Sequence, residues 1–215
     1  FGFNKKSDVH VIKIIKRNNF SKIFLKVYNQ KIGLEIKDIN IYNVLCSLTI
    51  LKMLNLDIFK IKSKIKNLES PEGRGKKYTI KRYRKNFKLI DESYNANPLS
   101  VKHAIKKFNL IKKEKFKKFL ILGDMLELGS KSKKYHQELS KVINSSDIDK
   151  VFIKGKKTIF TYKELNKDKR GNILQDIEDI DLSLGKMISN KDYLMIKGSN
   201  ATGLNSFSKK MIKGI

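Results

Sequence analysis

The stretch Leu89-Ile90-Asp91-Glu92-Ser93-Tyr94-Asn95-Ala96-Asn97-Pro98-Leu99-Ser100 decides how the chain folds. Phe87 to Ile90 are apolar apart from Lys88 and have strand character, and the residues after them are mostly polar. Asn97-Pro98 then opens a helix. An asparagine side chain accepts from the first unpaired amides, and proline at the first helical position needs no N–H. Val101, Ala104, Ile105 and Phe108 follow at i, i+3, i+4 and i+7, which gives that helix one apolar face. Carboxylates, a phenol and amides therefore sit where a strand ends and a helix begins, the usual ligand crevice of an open α/β sheet. An ordinary strand-to-helix loop has much the same composition, because Asp, Asn and Ser are common turn residues.

Downstream the same pattern repeats. A strand over Lys118 to Leu122 runs into Gly123-Asp124-Met125-Leu126-Glu127-Leu128-Gly129, and a helix follows with Tyr135, Leu139, Val142 and Ile143 on one face. Val151 to Ile153 is a short strand ending at Lys154-Gly155. Residues 192–196 form another, ending at Lys197-Gly198-Ser199-Asn200 before a terminal helix marked by Leu204, Phe207 and Met211. Strands alternating with helices imply a mainly parallel sheet covered on both faces. The carboxyl ends of its strands share one edge, so Asp91–Asn97, Gly123–Gly129 and Lys197–Asn200 are expected to converge on one rim. The acidic residues of Gly123–Gly129 would repel phosphate, which excludes that loop as a phosphate cradle. Neither G-x-x-x-x-G-K-[ST] nor G-x-G-x-x-G occurs in the sequence. His136 reads as a solvent-facing or capping residue, and His10, His103 and His136 are too scattered for a metal site.

Upstream, residues 8–16, 22–28 and 31–36 read as strands, the last two joined across Asn29-Gln30. Ile41, Val44, Leu45, Leu48 and Leu51 trace a helix over 40–54, with Asn40 and Asn43 at its start, where amides usually cap. A second helix is expected over 57–68. Glu69-Ser70-Pro71-Glu72-Gly73-Arg74-Gly75 reads as a linker and places a domain boundary there. As a plain linker residue, Arg74 is a solvated charge.

Hydrophobic residues at 40% and charged ones at 32% fit a globular core and exclude wholesale disorder. The single cysteine, Cys46, excludes an intramolecular disulfide and reads as a buried, inert thiol among Val44, Leu45 and Leu48. No apolar run is long enough for a membrane span, and no signal peptide is evident. Phe1-Gly2-Phe3 lacks an initiator Met, so the chain is expected to begin inside a longer protein. The net charge of +27 would suggest a nucleic-acid partner. Yet the excess is nearly all Lys, spread along the whole chain, and crowded with Ile and Asn as AT-rich codons produce. Lys81-Arg82-Tyr83-Arg84-Lys85 is a local exception.

The string Asp-Glu-Ser-Tyr-Asn-Ala-Asn-Pro at 91–98 resembles the signature of the Mur ligases, and within them the branch that adds a D-alanyl-D-alanine dipeptide. Gly73-Arg74, Gly123–Gly129 with His136 seven residues later, and Lys197-Gly198-Ser199 resemble further motifs of that branch, in the same order. Asn40-Ile41-Tyr42-Asn43-Val44-Leu45 resembles the family's His-Asn-x-x-Asn-Ala-Leu element, with Ile39 where the family has histidine. The fold this implies is α/β. Residues 1–70 would be the β-rich and helical tail of a central ATPase domain, 71–75 a hinge, and 76–215 a Rossmann-like C-terminal domain with a mainly parallel sheet.

The implied reaction is ATP-dependent, Mg2+-assisted amide ligation in the cytoplasm. The carboxylate of a UDP-N-acetylmuramoyl tripeptide is activated as an acyl phosphate and joined to D-alanyl-D-alanine. The resemblance assigns Arg74, Glu92 and Asn97 to catalysis. It puts Asn40, Asn43, Arg74, Asp91, Glu92, Tyr94 and Asn95 beside the nucleotide. Asp124, Glu127, His136, Lys197, Gly198, Ser199 and Asn200 fall to the amino substrate, and no metal ligand is assigned in this stretch. An arginine fork suits phosphate oxygens because it donates two parallel hydrogen bonds. Many relatives have Asp where Glu92 stands and Arg where Asn200 stands. Because the chain has no phosphate loop, the rest of the same protein, upstream, is expected to carry one together with a UDP-sugar domain. The rival readings are a Mur-type ligase for another amino substrate, a basic α/β nucleic-acid-binding protein, and a dinucleotide-binding module, which lacks its glycine fingerprint.

Dispersed lysines neutralise few adjacent phosphates, so binding to polyanions should be weak, indifferent to sequence and abolished by moderate salt. Filter binding at two salt concentrations checks this; tight, sequence-selective retention would restore the nucleic-acid reading.

Overall fold

In the computed structural model, which describes residues 1–17, 20–37 and 39–214, the chain divides into two compact units, Phe1–Ser70 and Pro71–Ile215. In the first, strands β1 (Val9–Lys16), β2 (Ser21–Val27) and β3 (Gln30–Ile36) form an antiparallel sheet in sequence order. Ile23 lies opposite Leu34 and Leu25 opposite Ile32, and all four are buried, so the alternation in sequence becomes one apolar face. The β2–β3 turn is Tyr28-Asn29, one residue earlier than the sequence suggests, because Gln30 already pairs with Val27.

Helix α1 (Ile41–Met53) closes that face with Val44, Leu45 and Leu48. Asn40 is its N-cap, its side chain accepting from the Tyr42 amide at 2.9 Å. Cys46 is half-buried rather than buried. The helix expected over 57–68 shrinks to α2 (Lys62–Lys66). Asp57 accepts from the Phe59 amide at 2.9 Å, a local turn that competes with helical pairing at the start of the segment.

In the second unit six strands form one sheet: β4 (Lys76–Arg82), β5 (Lys85–Glu92), β6 (Lys118–Gly123), β7 (Lys150–Lys154), β8 (Arg170–Ile173) and β9 (Tyr193–Lys197). Their spatial order is β4-β5-β9-β6-β7-β8. β4 pairs antiparallel with β5, and every other pair is parallel. The β4–β5 hairpin turns on Tyr83 and Arg84, both in left-handed backbone (φ 55° and 56°), the two-residue turn that matches strand twist. The basic cluster noted in the sequence is this turn. Arg82 and Tyr83 bond Asp181, at 3.1 and 2.5 Å, and Lys85 donates to the Ile188 carbonyl.

Helices α3 (Pro98–Asn109) and α4 (Ser132–Asn144) cover one face of the sheet, and α6 (Ile177–Met187) and α7 (Leu204–Lys213) the other. Residues alternate between the two cores. Leu120, Leu122, Val151, Ile153 and Met195 join the first, and Phe119, Ile121, Phe152, Leu194 and Ile196 the second. Burial of each such side chain stabilises by about 1.5–3 kcal/mol. β4, β8, α6 and the short α5 (Thr158–Lys163) went unread in the sequence.

Lys118 fixes the end of α3 to the sheet. It is fully buried, and its ammonium donates to the Phe108 and Ile111 carbonyls and to both oxygens of Asp147. A buried ammonium persists only with such partners. Among the described residues, no helix is long and apolar enough to cross a membrane.

β6 and β9 end in contact. A Cβ on Gly123 would lie 2.7 Å from the Leu204 Cδ1 and 3.2 Å from the Gly198 Cα. Gly123→Val should therefore destabilise by about 1–3 kcal/mol through overpacking, read as a lowered Tm in thermal melts. An unchanged Tm would mean that the strand ends have room to part.

Candidate functional site

All five parallel strands end on one edge, and the three segments expected to converge there do so. At the end of β5, Asp91 is 1% exposed. Its carboxylate accepts from the Gly73 amide (3.0 Å), the Ser93 amide (3.2 Å) and the Ser93 hydroxyl (2.5 Å). Its carbonyl accepts from the Gly75 amide at 2.7 Å, and the Tyr94 amide donates back to the Gly73 carbonyl at 3.1 Å. Arg74, exposed at the tip of this turn, lies over the ring of Tyr94 with its guanidinium carbon 4.4 Å from the centroid. That contact is attractive through the ring quadrupole. Tyr94 and Asn95 are exposed beside it.

Asn97 is the N-cap of α3. Its side chain accepts from the Ser100 amide at 2.8 Å, and the Ser100 hydroxyl accepts from the Asn97 amide at 3.1 Å, a reciprocal capping box. Both the cap and Pro98 at the helix start agree with the sequence reading.

Glu92 and Lys197 are register partners across β5 and β9. The Lys197 ammonium donates to the Asn95 carbonyl (2.6 Å) and the Glu92 carbonyl (3.2 Å), and lies 3.7 Å from a Glu92 carboxylate oxygen. Burial pushes the Glu92 carboxyl up and the Lys197 ammonium down; their mutual attraction opposes both shifts and is the smaller effect. Lys107 and His103 on α3 also draw the Glu92 carboxyl downward.

At the end of β6, Asp124 joins two neighbouring loops. Its carboxylate accepts from the Lys157 amide (2.9 Å) and the Thr158 amide (2.7 Å) beyond β7, and its carbonyl from the Ser199 amide (3.0 Å) beyond β9. Gly155, at φ +133°, leaves room for it, because a Cβ there would lie 2.4 Å from the carboxylate. The Ser199 hydroxyl accepts from the Leu126 amide at 3.1 Å. Gly198 packs against Gly123.

His136 corrects its sequence reading, for it neither faces solvent nor caps a helix. It is fully buried, its Nε2 accepts from the Met125 amide at 3.1 Å, and Nδ1 donates to the Ser132 carbonyl at 2.8 Å. The pairing with an amide fixes the Nδ1–H tautomer. Glu127, at φ +60°, and Asn200 stand exposed on the rim. Asn40 and Asn43 belong to the first unit, as the cap and first turn of α1.

Sequence reasoning missed two members of the rim. Ser93 lies inside the quoted string yet carried no assignment. Asn205 on α7 donates to the Ser93 hydroxyl at 3.2 Å, a pairing with no local signal because 112 residues separate them. Among the described residues, no group of three or more His, Cys, Asp or Glu could hold a metal ion. A cleft of about 630 Å³ lies at the other edge of the sheet, around Lys113, Asp147, Asp149 and Lys150. Two of its carboxylates are paired, Asp149 with Lys113 at 2.6 Å and Asp147 with the buried Lys118 at 2.7 Å.

Residues 78–200, more than half of the chain, match the family described as Mur ligase, glutamate ligase domain. A UDP-N-acetylmuramoyl-tripeptide--D-alanyl-D-alanine ligase of Bacillus subtilis is 33% identical over 129 residues, covering 58% of this chain and 28% of that protein. A protein of the same name from Buchnera aphidicola is 27% identical, over 99% of this chain and 45% of its own length. The chain thus spans less than half of either relative. Among solved structures, a MurF ligase from Thermotoga maritima in complex with ADP shares the fold, with a TM-score of 0.74 at 21% identity over 97% of this chain and 47% of that one. MurF from Acinetobacter baumannii gives a TM-score of 0.75 at 19% identity, over 98% and 46%.

The two buried charges set a pH dependence. Between the ordinary carboxylate value and its raised folded value, Glu92 holds more protons folded than unfolded, so its contribution to stability falls as pH rises through that window. Lys197, lowered, acts oppositely on the alkaline side. Raising the pH from 4.5 toward neutrality should therefore lower the Tm of the wild type relative to Glu92→Gln. Melting curves across that range test the sign; a wild type that gains on Glu92→Gln with rising pH would mean that attraction outweighs burial.

Proposed function

The chain belongs to the Mur ligase family, and on that premise we propose that it is part of an ATP-dependent ligase of peptidoglycan precursor synthesis, acting in the cytoplasm. The reaction joins D-alanyl-D-alanine to the carboxylate of a UDP-N-acetylmuramoyl tripeptide. What carries this reading is the convergence of Gly73-Arg74, Asp91–Asn97, Gly123–Gly129 and Lys197–Asn200 on one sheet edge, within a chain whose full-length relatives bear that enzyme's name. When bound, ATP would supply the phosphoryl group that activates the tripeptide carboxylate.

On the nucleotide side, Arg74 is an exposed guanidinium held against an aromatic ring, which suits phosphate oxygens. Tyr94 and Asn95 flank it, and Glu92 holds Lys197 behind. Asn97 serves catalysis by fixing where α3 begins. When bound, Mg2+ would spread the negative charge of the nucleotide phosphates.

On the dipeptide side, Glu127 and Asn200 are the exposed groups that would meet substrate, Glu127 drawing the incoming ammonium. Asp124, His136, Lys197, Gly198 and Ser199 are buried and shape the loops that carry them. Closure of such a rim over the reactants orients the amine and keeps water from the activated carboxylate.

In the complete protein, ADP release should require both the UDP-tripeptide and the dipeptide. Arg74→Ala should slow it by on the order of ten-fold or more while leaving Tm nearly unchanged, because the side chain is exposed and acts on developing charge. Coupled assay of ADP with chromatography of the product checks both points. ADP release driven by a single amino acid instead of the dipeptide would select the rival Mur-type ligase.

A further inference from the structure

Resting on that reading of Arg74, we infer that Asp91 is a positioning residue for the Arg74 guanidinium, with Ser93 and Asn205 acting behind it. The resemblance puts Asp91 beside the nucleotide, but its side chain has nothing left to offer a ligand. It is 1% exposed, and its two oxygens receive three hydrogen bonds from the chain itself. What it grips is the turn that carries Arg74. The Gly73 amide binds the carboxylate, the Gly75 amide binds the Asp91 carbonyl, and the Gly73 carbonyl takes the Tyr94 amide. Both residues flanking Arg74 are thus fastened to the end of β5.

The approach is close enough to demand glycine. At Gly73 (φ +71°) a Cβ would lie 2.8 Å from the Tyr94 Cβ and 2.9 Å from the Tyr94 amide nitrogen. The same approach sets the guanidinium over the Tyr94 ring. Behind the carboxylate, the Ser93 hydroxyl donates to Asp91 and accepts from Asn205 of α7, so three side chains form one directed chain of hydrogen bonds ending at the Arg74 turn. A carboxylate is needed at its centre. It has acceptor sites for all three donors, whereas an asparagine of the same shape has one acceptor oxygen and turns an N–H toward a donor. Long arginine side chains carry much rotamer freedom, and holding the turn restricts where this one begins.

The test is a double-mutant cycle in the complete enzyme, with kcat and the KM for ATP measured at saturating tripeptide and dipeptide and normalised to the folded fraction. Asp91→Asn should change the same kinetic parameter as Arg74→Ala, by on the order of ten-fold, since small displacements of a positioning group cost rate steeply. The double variant should be no worse than Arg74→Ala alone, within about two-fold, because coupled residues are not additive. Additive losses, or wild-type kinetics in Asp91→Asn beside a defective Arg74→Ala, would overturn the inference and leave the ligase reading standing. A kinetically silent Arg74→Ala would instead remove the role of Arg74, and this inference with it. Should Asp91→Asn fail to fold, Asn205→Ala removes only the outermost bond. It should move the same parameter in the same direction by a few-fold, and do nothing on the Arg74→Ala background.

Discussion

Five parallel strands stop at one edge of a sheet buried on both faces, and every amide and carbonyl exposed by their ending needs a partner. That requirement organises the second unit. Asp91 takes the amides of Gly73 and Ser93, and Asp124 takes those of Lys157 and Thr158. Lys197 covers the carbonyls of Glu92 and Asn95, Ser199 takes the amide of Leu126, and His136 that of Met125. Apart from the local bond between Ser93 and Asp91, each ties one strand end or loop to another, or to a helix. Satisfying the backbone and cross-linking the rim are therefore one event. Left unmade, each such buried group would cost about 1–3 kcal/mol.

The same requirement explains what could be read from the sequence and what could not. The alternation of strands and helices was legible because parallel strands buried on both faces are apolar runs, such as Phe119 to Leu122, and because Asn97-Pro98 announces a helix start through local chemistry. Convergence on a rim followed from topology alone. The short elements escaped. β8 is four residues on a sheet edge, half of them exposed, and α5 is six residues long, too short for periodicity to declare itself. The length of α2 was overread because Ile58, Ile61 and Ile65 repeat helically while Asp57 ties up the Phe59 amide. His136 was misread for a related reason. Polar neighbours in sequence suggest solvent, and its real partner, the Met125 amide, lies in the preceding loop.

Charge shows the same separation between composition and structure. With 48 basic residues against 21 acidic ones, the acids are scarce. Several occupy places where a carboxylate is structurally needed: Asp91 and Asp124 at strand ends, Asp147 beneath Lys118, and Asp181 under the β4–β5 hairpin. The basic stretch Lys81–Lys85 is partly neutralised by that last contact. A surface of many solvated lysines thus coexists with buried charges such as Asp91, Lys118, Asp124 and Lys197 that are held by partners, as burial of charge demands.

A conspicuous motif is accordingly not a set of equivalent ligand contacts. Within Asp91–Asn97 the residues differ in what they face, and burial sorts them. Asp91 and Ser93 turn inward to hold the Arg74 loop, Glu92 meets Lys197, and Tyr94 and Asn95 look out. The strand end thus carries scaffold residues and solvent-facing residues side by side, buried Asp91 and Ser93 next to exposed Tyr94 and Asn95. The same sorting separates Asp124 from Glu127, and Ser199 from Asn200. Chemistry at this rim then depends on a few exposed groups, Arg74 foremost, whose positions are fixed by buried neighbours that touch no ligand. A motif of this kind reads as one string because contact residues and the residues that aim them must follow one another along the same strand end.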